Sequence, residues 1–133
     1  MSVTGINESR ELVESELACV RWIVERAQTT DRQALLGQVE SLRAVPDAVN
    51  PCDLQLITSL GDRAAVRDGP LNPHAGVDET GLIAVWVKGG YLSAMEYSWF
   101  TDEHPIEYPP ISRLWEVWAG MSGQHPPHDI RER

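Results

Sequence analysis

Gly81-Leu82-Ile83-Ala84-Val85-Trp86-Val87-Lys88-Gly89-Gly90-Tyr91-Leu92-Ser93-Ala94-Met95-Glu96-Tyr97-Ser98-Trp99 is the stretch that decides the fold. Two β-rich runs flank a Gly-Gly pair, and such a pair supplies the positive φ angles of a tight hairpin turn. In the first run Ile83, Val85 and Val87 line one face, and Leu82, Ala84 and Trp86 line the other. Both faces are apolar, which predicts a central strand covered on at least one side. In the second run Leu92, Ala94, Glu96 and Ser98 alternate with Ser93, Met95, Tyr97 and Trp99.

Upstream of the hairpin the period is helical. Over residues 8–27, Val13, Leu17, Val20, Val24 and Ala27 recur at spacings of four and three, which places them on one stripe. Glu8, Glu11, Glu14 and Glu16 suit the positive end of this helix, and Asn7 or Ser9 is the predicted cap. Thr30 and Gln33 have capping-box spacing ahead of Ala34-Leu35-Leu36, which predicts a second helix ending at Gly37 or near Ser41. Short strands are predicted at Leu42–Val45, around Cys52, Leu54 and Leu56, and at Arg63–Arg67. Residues 68–80, rich in Gly, Pro, Asn and Asp, read as a loop. Ile111–Trp118 reads as a short helix or a last strand, and the Trp115–Trp118 spacing favours the helix. Helices followed by strands predict an α+β fold, with an N-terminal helical hairpin packed on a small antiparallel sheet of about four strands. One domain is expected over residues 1–120, followed by a polar tail over 121–133.

The chain has 133 residues and a formal net charge of −9, which argues against binding nucleic acid or an anionic membrane surface. Residues 78–116 hold seven acids against Lys88 and Arg113. No apolar run has the ~18 residues of a membrane span, and the first residues lack the pattern of a secretory signal. The expected compartment is the cytoplasm. Cys19 and Cys52 are expected as reduced, buried thiols.

The segment after the hairpin, Thr101-Asp102-Glu103-His104-Pro105-Ile106-Glu107-Tyr108-Pro109-Pro110, gathers acids, prolines and aromatics. Trp99, Asp102, Glu103, Glu107 and Tyr108 are the predicted contacts to a basic protein partner, because charge complementarity speeds encounter and aromatic side chains anchor interfaces. Phe100 belongs to the same aromatic group. Glu96, a carboxylate in an apolar strand, is exposed or paired; with Cys52 and His104 it marks a candidate pocket between the first helix and the sheet. His125-Pro126-Pro127-His128 lacks a matching second ligand pair, so no metal is expected. The phosphate-loop, dinucleotide, zinc-protease and serine-hydrolase motifs are absent, which lowers the expectation of an enzyme or a cofactor.

Ala34-Leu35-Leu36-Gly37-Gln38-Val39, the step Pro51-Cys52-Asp53-Leu54, and Gly90-Tyr91-Leu92-Ser93-Ala94-Met95-Glu96-Tyr97 followed by Thr101-Asp102-Glu103-His104-Pro105 carry a resemblance. Over about residues 34–114 the chain is similar to a group of small bacterial proteins, common in actinobacteria. In that group a G-x-L-S-x-[LM]-E strand precedes an acidic, proline-rich segment. The resemblance implies a fold and no activity. The group often has a Cys-Gly-Cys-Pro-like step. Val49-Asn50-Pro51-Cys52 keeps one cysteine, which removes the expectation of a metal or redox role. The hairpin also resembles those of small immunity proteins from toxin systems. Three readings follow: an immunity- or inhibitor-like binding protein, a small enzyme or ligand-binding protein using the pocket near Glu96, and a homodimer formed through a flat sheet face.

Overall fold

The computed structural model describes residues 9–58 and 60–127. In chain order the elements are β1 (Arg10–Glu11), α1 (Glu14–Arg26), α2 (Arg32–Val39), β2 (Leu42–Pro46), β3 (Leu54–Thr58), β4 (Gly69–Pro70), β5 (His74–Val77), β6 (Gly81–Lys88), β7 (Tyr91–Trp99), a 3-10 turn (Ile111–Arg113) and β8 (Leu114–Val117). The strands form one antiparallel sheet in the order β1-β2-β3-β7-β6-β5-β8, and β4 pairs β6 on the same side as β5. The fold is α+β as predicted, but the sheet has eight strands rather than about four.

The decisive hairpin is where the sequence puts it. Gly89 and Gly90 have φ of 61° and 85°, and the paired strands run from Lys88↔Tyr91 to Gly81↔Trp99. Simple alternation fails once, in β7. Val87 pairs with Leu92 and Trp86 with Ala94, so Ser93 is an extra residue in a β-bulge. The bulge returns Leu92 to the same face as Met95 and Tyr97, and all three are buried.

One face of the sheet holds the core. Leu54, Leu56, Ile83, Val85, Val87, Leu92 and Met95 meet Cys19, Val20, Ile23 and Val24 of α1 and Leu35 and Val39 of α2 in one buried cluster. Each fully buried aliphatic side chain contributes about 1.5–3 kcal/mol. The buried Gln38 in α2 ties this face to the hairpin turn. Its Nε2 donates to Asp62 O at 2.8 Å and Gly90 O at 2.9 Å, and its Oε1 accepts the Leu92 N–H at 2.9 Å. Gly90 also packs so closely on Ala64 that a Cβ would lie 2.5 Å from the Ala64 carbonyl oxygen.

Several local predictions are corrected. The first helix begins at Glu14, not residue 8, because Arg10 and Glu11 pair with Ala44 and Arg43 as an edge strand. Its start is closed from inside the helix: the buried Glu16 carboxylate accepts the Val13 N–H at 2.9 Å and two bonds from Arg10 at 2.8 Å. Asn7 lies outside the described residues, and Ser9 instead accepts from Arg43 Nε at 2.7 Å. In front of α2, Thr30 and Asp31 bond to the backbone of Ala65 rather than closing a capping box, and the helix continues through Gly37 to Val39.

Arg63–Arg67 is not a strand; Ala64 N–H reaches only the turn carbonyl of Gly90 at 2.8 Å. The predicted loop at 68–80 contains β4 and β5, which pair against the outer edge of β6. Ile111–Trp118 is a 3-10 turn and then a strand, not a helix. The strand lets the Trp115 ring lie on Gly76, where a Cβ would be 2.4 Å from its Nε1, and that Nε1 donates to Asp78 O at 2.8 Å. Within the predicted tail, Gln124 bonds to both the N–H and the carbonyl of Trp118, and Pro126 is buried.

Candidate functional site

β7 ends at Trp99, and the chain must pass β6 and β5 to reach β8 at the far edge. Residues 100–110 make that crossing as an irregular strap, because Pro105, Pro109 and Pro110 deny it a regular element. Four hydrogen bonds, three of them buried and one part-buried, fix its path. The Tyr108 hydroxyl donates to the Cys52 carbonyl, with Met95 O at 3.4 Å. The Cys52 thiol donates to Pro105 O at 3.4 Å, and the Cys19 thiol to Pro109 O at 3.5 Å. The Tyr108 ring packs on Tyr97 with centroids 5.3 Å apart.

Tyr108 is therefore not a contact residue. It is 2% exposed, and the prediction that it faces a partner is corrected: its ring completes the core under the strap. Burial drives its hydroxyl pKa well above the ordinary tyrosine value, so it stays protonated and able to donate. Burial likewise raises the Cys19 thiol to about 12 and moves Cys52 upward, with Glu16 adding to the first and Asp53 to the second. Both cysteines are free thiols held in their unreactive form.

The other predicted contacts do reach the surface. Asp102, Glu103 and Glu107 are exposed, and among the described residues their carboxylates make no hydrogen bond or ion pair. Trp99 is half-buried with its ring 4.5 Å from the His104 ring, which braces the first turn of the strap. Sequence reasoning missed Ile106. It is 93% exposed between the acids, and Phe100 nearby is 67% exposed. The only signal for Ile106 was an apolar residue in a segment with no period, next to a proline that forbids a regular element.

The predicted pocket between the first helix and the sheet does not assemble. Glu96 is exposed on the opposite face, across from Ala84. The Cys52 thiol lies under the strap, and His104 sits on its outer side against Trp99. The hollows that Glu96 lines are formed by strands and their connections, with Asp47 and Asp53 in one and Trp86 and Lys88 in the other. Among the described residues no group of three or more His, Cys, Asp or Glu side chains could hold a metal ion, and no helix is long and apolar enough to cross a membrane. Compared with known proteins, the chain matches no family model, no curated protein and no solved structure.

Proposed function

We propose that the protein is a non-enzymatic binding module of the immunity or inhibitor kind, acting in the cytoplasm, whose strap captures a basic protein. One observation carries this reading. Asp102, Glu103 and Glu107, without a partner among the described residues, share a segment with the exposed Phe100 and Ile106, and that segment is pinned from beneath by Tyr108, Cys52 and Cys19. Pinning lowers the entropy lost when the loop is ordered by a partner. Exposed apolar side chains interspersed with charge along one segment supply the anchor and rim of a protein interface. The net charge of −9 attracts a cationic partner over a distance of about one Debye length, ~8 Å at physiological salt. The resemblance of the hairpin to those of immunity proteins supports the same assignment.

The test is affinity capture from the native host at low salt, run in parallel with the intact protein and the D102N/E103Q/E107Q variant. The expected result is one basic protein retained by the first, lost by the second and released as salt rises. Retention unchanged by the three substitutions contradicts the assignment of the strap.

A further inference from the structure

The face of the sheet opposite the helices carries a second feature that the strap does not explain. Glu96 stands exposed on β7, with no side-chain partner among the described residues. Around it the surface is half apolar: Ala84 is directly opposite, Ala94 precedes it on the same face, and Trp86 is 37% exposed. Two shallow hollows, of about 420 and 490 Å³, meet at Ser93, Ala94 and Glu96. The first is lined by Asp47, Asp53 and Glu96 and by no basic side chain, and the second adds Asp68, Trp86 and one cation, Lys88. Asp47 and Asp53 are occupied by backbone N–H groups, of Val49 and Asn50 for one and of Tyr97 for the other. Glu96 is the carboxylate left to take a ligand.

We infer that this face docks an arginine-bearing loop of the partner, with the guanidinium on the Glu96 carboxylate and against the Trp86 ring. The inference rests on the binding role proposed for the strap and extends it to a second surface. Charge complementarity selects the occupant: the two adjoining hollows together hold the carboxylates of Asp47, Asp53, Asp68 and Glu96 against the single cation Lys88, an excess that favours a cationic group. Trp86 favours arginine over lysine, because a planar guanidinium stacks on an indole while it pairs with a carboxylate. Trp86 and Glu96 are diagonal neighbours across the β6–β7 pair, a separation of about 7–8 Å that a guanidinium spans. The bulge at Ser93 disrupts the ladder between the two hollows, a feature common beside binding sites. A second copy of this chain is the poorer occupant. A two-fold contact through this face sets Glu96 and its acidic hollow against themselves, and like charges repel.

The experiment follows amide and indole signals of the 15N-labelled full chain during titration with acetyl-Gly-Ser-Arg-Gly-Arg-Ser-Gly-amide, with the lysine and citrulline versions as controls. The expected result is saturable shifts at Ala84, Ser93, Ala94, Glu96 and the Trp86 indole. Affinity should fall about tenfold in E96Q, the loss of one charge-assisted pair, and should hold in D102N/E103Q/E107Q. Equal shifts with the citrulline peptide overturn the inference, as do shifts confined to residues 100–107 that survive E96Q. Concentration-dependent shifts at the same amides without peptide also overturn it, because they identify a second copy as the occupant. Each of these failures leaves the strap assignment standing on its own capture experiment.

Discussion

On the covered face of the sheet, Gln38 and Tyr108 carry polar atoms into the core, and those atoms are bonded to backbone groups. On the open face and along the outside of the strap, Glu96, Asp102, Glu103 and Glu107 carry charges that the described chain leaves unmatched. The same strand, β7, contributes to both: Met95 is fully buried and the next residue, Glu96, is exposed. The difference separates two tasks. Buried polar atoms here hold the shape, because leaving one unbonded costs about 1–3 kcal/mol. Exposed carboxylates contribute little to stability and remain free for a partner.

Substitutions that strike only one side of this division test it. The largest effect is expected from Gln38→Leu. It leaves the buried Leu92 N–H without its Gln38 acceptor, at about 1–3 kcal/mol, while the Gly90 carbonyl keeps its bond from the Ala64 N–H, and urea denaturation should show the loss. Tyr108→Phe comes next. It keeps the ring on Tyr97 but removes the hydroxyl from the Cys52 carbonyl, at about 1–3 kcal/mol. It should also loosen the strap, so hydrogen exchange at residues 100–110 should quicken more than at β6.

A pH effect of smaller size is expected at His74. Burial lowers its pKa below the ordinary 6.5, and its Nδ1 is buried with no partner among the described residues. The folded protein then binds fewer protons there than the unfolded chain, so stability is lost as pH falls below 6.5. His74→Gln should flatten that part of the urea-midpoint profile. The smallest effect is expected from Glu96→Gln, which should shift stability by less than about 0.5 kcal/mol, as for other exposed surface changes. A large loss of stability in Glu96→Gln would erase the division between the two faces.

How much of this was legible in the sequence depended on whether the partner of each segment was local. The hairpin at 81–99 was readable because its turn glycines and both strands are contiguous. The core stripe of α1 was readable from its own period. The strands β4 and β5 were not, because each is defined by pairing to residues elsewhere and both carry glycine alongside Pro70 or His74, and β8 remained one of two alternatives, since its pairing with β5 is not local. Gly37 suggested a helix end, yet α2 continues through it, because the buried Leu35, Gln38 and Val39 on either side hold the turn in place. At the candidate site, Asp102, Glu103 and Glu107 were placed correctly on the surface from charge alone. Tyr108 was not, since its burial depends on the carbonyls of Cys52 and Met95, 56 and 13 residues away.

On this reading the strap's exposed charge binds a basic partner and its buried anchors hold its shape. Isothermal titration of the captured basic protein into the intact chain and into D102N/E103Q/E107Q, with thermal unfolding of both, tests it most directly. The expected result is affinity lower by at least tenfold in the variant, a salt dependence that weakens with it, and an unchanged melting temperature. Equal affinities, or a loss of affinity that merely follows a loss of folding, would contradict it.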